Sequence, residues 1–361
     1  MTRIRIIGGG IAGLALAASL DPERFEVSLV EQRAELPDIR TSLAMWPEAV
    51  AALESIGIAD ELRSMSPSID RFPLHSGTGR TLSELPTPVA VLVARHDLLA
   101  ALDAAVPASV DRIVERVERV EAESDELVIG ADGVHSIVRR AGWGPRADAA
   151  LTPYLAVRGV LHESAPIEAM GEYWGRGRLY GIGPHRAGTN WYAAFRSDLG
   201  PRRVDVVRVL ELALGRAGGI PPAVASVLGA ARPETSLAQR VWIAPRLRSY
   251  ARGRLVLVGD AAHAMAPNLG RGGCEALLDA VTLARLLNTH PTAAALSMYD
   301  RERVTPTQRL RVASGALMRV ALAERMQPAR DRLISSVGRR VARRPQAGTT
   351  SAAASVDSLG A

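Results

Sequence analysis

Lysine is missing from the 361-residue chain, so all 44 basic side chains are arginine. This excludes chemistry that turns on a lysine amine: a P-loop lysine, a Schiff base or a lysine general base. Cysteine occurs once, as Cys274, which rules out a disulfide framework and a thiolate-ligated metal centre. His, Cys, Asp and Glu nowhere fall at metal-ligand spacing, and no metal is expected. Aromatic residues make up only 4% of the chain. The net charge of +6 therefore comes without the aromatic-interleaved basic stripe of a nucleic-acid binder. The arginines are scattered, apart from Arg339, Arg340, Arg343 and Arg344, and read as a solvated face with a basic tail. No apolar run approaches the length of a membrane span, and no apolar signal segment opens the chain. Both point to a cytoplasmic protein. There is no internal repeat.

The hydrophobic (47%) and charged (23%) fractions are those of a globular protein, with length for one large or two interleaved domains. The most informative stretch runs from Ile4 to Gln32. Ile4–Ile7 reads as a buried strand, and Gly8-Gly9-Gly10-Ile11-Ala12-Gly13 turns it into a helix ending near Leu20. Gly8 allows the tight turn, Gly10 lets the backbone approach a pyrophosphate, and Gly13 lets helix and strand pack closely. The helix start, at Ile11 and Ala12, points free N–H groups and a positive dipole end at the phosphates. Phe25–Val30 supplies a second strand, closed by Glu31 at the spacing where a carboxylate takes an adenosine ribose. Glu31 repels a 2′-phosphate, so the dinucleotide is NAD-like or FAD. Gln32 and Arg33 follow, with Arg33 placed to stack near the adenine.

Further along, Thr41–Ile58 reads as a loop feeding an amphipathic helix stopped by Gly57. The proline- and glycine-broken stretch from Pro67 to Pro88 suits edge strands and turns. A strand over Val89–Ala94 leads into a helix opened by Arg95, and Val110–Glu126 reads as one strand and an exposed connector. A second glycine motif, Gly130-Ala131-Asp132-Gly133, ends the strand Leu127–Ile129, with Ser136 as a helix cap. From Pro153 to Val241 short β-like runs suggest a mostly antiparallel sheet with one helix, Val204–Leu214. The third motif follows Arg254–Val258: Gly259-Asp260-Ala261-Ala262-His263, then Pro267, Gly270, Arg271, Gly272 and Gly273. Helices are expected from Cys274 to Leu287 and from Tyr299 to about Met326, with a disordered tail over 345–361.

The three motifs, in this order, resemble the single-component (class A) FAD-dependent aromatic monooxygenases, the family with the para-hydroxybenzoate hydroxylase fold. The resemblance covers residues 4 to about 290. The stretches Trp174–Gly177 and Asn190–Tyr192, with the sequence around His263 and Gly272–Cys274, look most like the salicylate and urate hydroxylase and zeaxanthin epoxidase branch. It implies an α/β fold: a Rossmann-like FAD-binding domain with an interleaved, mostly antiparallel substrate domain and C-terminal helices. The boundaries expected are 1–70, 90–150 and 245–290 for FAD binding, 71–89 and 151–244 for substrate, and 291–344 for the helices. It implies that NADH or NADPH, a transient donor, reduces FAD, and that a flavin C4a-hydroperoxide hydroxylates or epoxidises a small aromatic, heteroaromatic or alkene substrate. Only one dinucleotide fingerprint is present, which suits a donor that binds transiently.

The resemblance also implies roles. Asp260 would hold the ribityl chain, Pro267 would lie beside C4a, and Gly270, Gly272 and Gly273 would admit the isoalloxazine. Arg95 would reach the FAD, and Asp132, with Gly133, would support the cofactor or the donor. The chain departs from the family at Arg271, where glutamine is usual, and at Leu278-Asp279, where glutamate-aspartate is usual. Thr41–Ala44 replaces a glycine-rich loop, and the segment between Arg95 and Asp132 is short. These departures touch flavin positioning. Arg271 could hold the reduced flavin's charge or a substrate carboxylate, so it joins Pro267 as a catalytic candidate.

His263 is a base by type but is read as packed locally, because the flavin carries the oxygen chemistry. His75, His162 and His185 read as surface residues. Cys274 at a helix start could have a lowered pKa; its small size beside Gly272 and Gly273 is the preferred account. Arg178, Tyr180, Trp191 and Tyr192 are the candidates for holding substrate. The partners expected are a small molecule and O2, with no nucleic acid, in a monomer or homodimer. A reductase of the geranylgeranyl-reductase type and a non-catalytic FAD-binding protein remain as rivals. A halogenase is disfavoured because that chemistry relies on lysine.

Overall fold

A computed structural model describes residues 1–38, 41–84, 86–120, 126–201 and 204–342. The tail expected to be disordered, and Arg343 and Arg344, lie outside these. In chain order the elements are β1 (Thr2–Ile7), α1 (Ile11–Ser19), β2 (Phe25–Glu31), β3 (Ser42–Met45), α2 (Pro47–Ile56), α3 (Ala59–Ser64), β4 (Ser68–Arg71), β5 (Leu74–Ser76), β6 (Thr81–Ser83), β7 (Pro86–Ala94), α4 (Arg95–Ala105), β8 (Asp111–Val114), β9 (Glu126–Gly130) and α5 (Ile137–Trp143). Then come β10 (Ala150–Leu161), β11 (Gly171–Trp174), β12 (Arg178–His185), β13 (Gly188–Arg196), α6 (Val206–Gly215), α7 (Pro222–Ala230), β14 (Ser236–Ile243), β15 (Ala251–Arg252), β16 (Leu255–Leu257), α8 (Asp260–His263), α9 (Gly272–Thr289), α10 (Thr292–Ala321) and α11 (Gln327–Ala342).

The first sheet has the order β15-β16-β9-β1-β2-β8 and is parallel except for β15. Its inner strands β9 and β16 are short, apolar runs covered on both faces, as parallel strands require. Ile4, Ile6, Leu127–Ile129, Val256 and Leu257 are all at most 1% exposed. α1 is nearly all apolar because it is sandwiched between this sheet and α9. The ends of β1, β2, β9 and β16 converge, tied by Gly8 N–Val30 O, Ala131 N–Ile7 O and Val258 N–Gly130 O bonds of 2.8, 2.8 and 3.0 Å. All three glycine motifs therefore lie at the carboxyl end of one sheet, where α/β folds bind ligands.

The second sheet, β14-β10-β13-β12-β11-β5-β6, is antiparallel apart from the β11–β5 pair. Its residues alternate between two faces. One face packs under α6 and α7, and the other meets Ala266 and the end of α10. β3, β7 and β4 form a small third sheet joining the two.

Several elements differ from expectation. Ser42–Met45 is a strand, because it pairs with β7 over Val91–Ala94. β7 is continuous through residue 89 and belongs with β3 and β4, whereas β5 and β6 join the large sheet. A second helix, α7, follows α6; its alanine-rich sequence carries little amphipathic signal, and burial of Val224, Val227 and Leu228 stabilises it. α10 starts seven residues before Tyr299, at Thr292, and α11 is separate from it. Gly57 ends α2 in the left-handed conformation at φ 87°.

Candidate active site

The glycine loop divides into positions that the chain itself requires and one that it does not. A Cβ on Gly8 (φ 111°) would overlap the Ala131 carbonyl, and one on Gly13 would overlap the Gly8 carbonyl. A Cβ on Gly10 would meet nothing within 4 Å, and its φ of −87° is open to any residue. Among the described residues, nothing explains a glycine there. Glu31 closes the loop: its Oε2 accepts from Gly9 N at 2.9 Å, and its Oε1 accepts from Arg33 N and Nε, both at 3.2 Å. Gln32 and Arg33 are exposed beyond it.

In the second motif, Asp132 caps α5, accepting from Ile137 N at 2.7 Å and Val138 N at 3.3 Å through Oδ2. Its Oδ1 is buried with no hydrogen-bond partner, and burial raises its pKa despite the hydrogen bonds that lower it. Gly133 (φ 75°) makes the turn. The buried Arg139 guanidinium then donates to Ala147 O, Ala261 O and Val134 O at 2.6, 2.7 and 2.5 Å. This ties the second motif to the third, a role that no sequence pattern announces.

The third motif turns at Gly259 (φ 61°), where a Cβ would stand 3.1 Å from that of Ala12. Asp260, Pro267 and Gly270 are exposed although Ala261–Ala264 and Ala266 are buried. A polar, backbone-rich strip is thus left uncovered beside the glycine loop. Arg95 faces this strip. Burial lowers its pKa while the Asp260 carboxylate opposes that shift, and its Nε has no partner. Arg158 on β10 feels the same two groups; burial, then Arg95, bring its pKa to about 10.

Cys274 is buried, with Sγ donating to Ala44 O at 3.2 Å. Burial pushes the thiol up to about 11. A thiol reagent at pH 8 should leave the native protein unmodified and titrate one thiol after denaturation; rapid native labelling would contradict this.

Of the four substrate candidates, three face away from the cofactor motifs. Arg178, Tyr180 and Trp191 lie on the outer face of the large sheet: Arg178 Nη2 donates to Gly218 O, Tyr180 OH to Ala213 O at 3.0 Å, and Trp191 is fully buried beneath α6 and α7. Tyr192, adjacent to Trp191, necessarily takes the other face. There it meets residues not foreseen, Glu172 and Arg158. His75 and His185 are also corrected: both are buried, at 9% and 8% exposure. His75 stacks on Tyr173 with ring centroids 4.6 Å apart. His185 lines, with His96 and the exposed His162, a cavity of about 360 Å³ at the start of α4.

Comparison with known proteins gives the same assignment. Residues 219–313 match a family profile described as an FAD binding domain, and residues 6–40 one described as an NAD(P)-binding Rossmann-like domain. The 2-heptyl-3-hydroxy-4(1H)-quinolone synthase of Pseudomonas aeruginosa is 32% identical over 326 residues, 83% of this chain and 84% of that protein. The chain belongs to the class A FAD-dependent monooxygenases. The FAD-dependent urate hydroxylase of Klebsiella pneumoniae is 26% identical over 82% of this chain and 85% of its own. In fold, Klebsiella pneumoniae HpxO complexed with FAD and uric acid superposes with a TM-score of 0.82 at 21% identity, covering 94% of each chain. The protein is an FAD-dependent hydroxylase served by a nicotinamide electron donor. Among the described residues, no helix is long and apolar enough to cross a membrane and no group of side chains could hold a metal ion.

Behind the third motif the monooxygenase carries a ladder of ion pairs. Arg271 Nη2 meets Glu275 Oε1 at 2.8 Å, Glu275 Oε2 meets Arg303 Nη2 at 2.7 Å, Arg303 Nε meets Asp279 Oδ1 at 2.7 Å, and Asp279 Oδ2 meets His263 Nε2 at 2.6 Å. Asp279 Oδ2 also accepts from Gly259 N at 2.8 Å, holding the turn that presents Asp260. Arg271 further reaches Glu48 Oε2 at 3.4 Å. Beside its expected role of holding the reduced flavin's charge or a substrate carboxylate, two carboxylates already face the guanidinium, which straps α2 to α9. His263 is packed locally, as read.

Burial alone would lower the His263 pKa, but Asp279 more than reverses this and raises it above the ordinary 6.5. Burial would likewise raise Asp279, and His263 and Arg303 hold it below the usual carboxylate value. A raised histidine contributes stability in full below about 6.5 and loses it as pH rises through the folded value. A depressed carboxylate contributes above about 3.9 and loses it as pH falls through its folded value. The melting temperature should therefore decline on the alkaline side of the raised His263 value. In His263→Gln that component should vanish in calorimetry across pH 6–9; an unchanged slope would contradict the pairing.

Proposed function

We propose that the monooxygenase holds FAD extended from Glu31 to the Pro267–Gly273 loop and inserts one atom of O2 into a small aromatic or heteroaromatic ring. The ring would lie between that loop and the inner face of β10–β13. The observation that carries this reading is Gly10: between the end of β1 and the start of α1, beside Glu31, a glycine stands where the chain has room for a side chain and leaves that space to a pyrophosphate. The uncovered strip from Asp260 to Gly270, and the unpaired Oδ1 of Asp132, fit the rest of such a cofactor.

In this reading Gly8, Gly10 and Gly13 with the N–H groups at Ile11 and Ala12 cradle the pyrophosphate. Glu31 turns its carboxylate to the ribose, with Gln32 and Arg33 at the adenine edge. Arg95 and Asp132, with Gly133, brace the middle of the cofactor, while Gly259 and Asp260 hold its ribityl chain. Pro267, Gly270, Gly272 and Gly273 leave the ring system room to lie against backbone, and the start of α9 places its positive dipole end there. When bound, FAD supplies the electron transfer from NADH or NADPH and the activation of dioxygen. The protein's part is to bind, orient and keep water out. Trp174, Leu179, Ala194, Ala266 and Met318 give the chamber a dry wall, each at most 4% exposed.

The test is to offer the purified protein NADH or NADPH, oxygen and a panel of phenols and N-heteroaromatics. Ring-dependent donor oxidation with a hydroxylated product is expected. Oxygen-independent saturation of a double bond would support a reductase instead, and inert flavin would support a binding protein.

A further inference from the structure

One row of inner-face residues crosses the large sheet in register: Glu172 on β11, Gly181 on β12, Tyr192 on β13 and Arg158 on β10. A Cβ on Gly181 would fall inside the Tyr192 ring. The missing side chain therefore lets Tyr192 lean across β12 toward β11. Its hydroxyl donates to Glu172 Oε2 at 2.5 Å, and Trp174 Nε1 donates to the other oxygen, Oε1. Glu172 and Tyr192 both keep partial exposure, on the face that also carries Trp174, Leu179, Ala194 and Ala266.

The consequence lies in the hydrogens. A phenol has one proton to donate, and Tyr192 gives it to Glu172; its remaining capacity toward the chamber is as an acceptor. Glu172 likewise offers only acceptor sites while ionised; burial raises its carboxyl pKa, and the Tyr192 and Trp174 hydrogen bonds oppose that shift. Burial first, then the Glu172 charge, hold the Tyr192 phenol well above its ordinary pKa, so the proton stays in place. The nearest cation of the row, Arg158, stands three strand spacings from Glu172, about 14 Å. Its Nη2 donates to Gln239 Oε1 at 3.3 Å, while its Nε is buried without a hydrogen-bond partner. This end of the chamber presents the Tyr192 and Glu172 oxygens as acceptors.

We propose that the Tyr192–Glu172 pair selects the substrate by its hydrogen-bond donors: the chamber takes an uncharged ring bearing N–H or O–H, a hydroxy- or oxo-heteroaromatic, and rejects ring carboxylates. The inference rests on the reading of this face as the substrate chamber. An N–H or O–H satisfies the acceptors, whereas a carboxylate brings like charge and leaves them unpaired, which is costly in a dry site.

The experiment uses the FAD-loaded protein and calorimetric titration with 4(1H)-quinolone, 1-methyl-4-quinolone and quinoline-4-carboxylate. The N–H quinolone should bind about tenfold or more tightly than either of the others, the loss expected of one buried hydrogen bond. Glu172→Gln can donate to the Tyr192 oxygen and so turn the phenol proton toward the chamber. It should narrow or invert the preference against the carboxylate while FAD content is retained. Equal affinity of the wild type for all three ligands would overturn the selection alone. No binding of any of them to fully FAD-loaded protein would overturn the chamber and the selection with it.

Discussion

Gly10→Ala is expected to give a folded protein that has lost most of its FAD. The extended backbone at Gly10 (φ −87°) accepts a side chain, and the added methyl meets no atom of the described residues within 4 Å. Circular dichroism and solubility should match the parent. The same methyl would stand where a pyrophosphate must approach the backbone, and overpacking of this kind costs about 1–3 kcal/mol. That corresponds to roughly a ten- to hundredfold weaker Kd for FAD. Gly13→Ala should behave differently. Its Cβ would overlap the Gly8 carbonyl, so α1 must move off β1, and the protein should lose stability whether or not FAD is added. Titration of both apoproteins with FAD separates the cases. Parental affinity in Gly10→Ala would show that the loop does not hold the phosphates.

Removing the Asp279 carboxylate should be the most damaging single change away from the glycines. Asp279→Ala takes away the acceptor for Gly259 N, the partner of His263 and one of the two carboxylates on Arg303. Breaking a buried ion pair from one side costs about 3–5 kcal/mol, because the remaining charge stays buried and uncompensated. For a chain of this size that corresponds to a fall in melting temperature on the order of 5–10 °C. The surface pair Arg285–Glu302, 55% and 42% exposed at 2.7 Å, provides the control. Its removal should change stability by less than about 1 kcal/mol. The turn at Gly259 presents Asp260, so Asp279→Ala should also weaken FAD binding, whereas the control should not.

The cofactor half of the molecule was legible because its signals are local. Each motif is a strand, a glycine turn and a helix start within a few residues, and the structure brings all three to one sheet end. The substrate half was not. Trp191 and Tyr192 are adjacent aromatics in one strand, and only the packing of α6 and α7 decides which of them turns inward. Arg178 and Tyr180 follow Trp191 to the outer face for the same reason. Glu172 looked like any polar residue in a strand, since its meaning depends on Gly181 and Tyr192 lying beside it in two other strands. The ion-pair ladder was hidden likewise: Asp279 read as part of a departure from the family pattern, but its partner Arg303 lies on a different helix. Arg271 read as an available charge because Glu48 and Glu275 could not be placed beside it from sequence.

The most direct measurement is the isotopic mass of the product formed from a neutral N–H heteroaromatic with NADH or NADPH under labelled dioxygen. The account predicts one labelled oxygen atom in the ring product, with donor oxidation that requires both the ring compound and oxygen. A product whose added oxygen comes from water, or turnover that continues without oxygen, would contradict it.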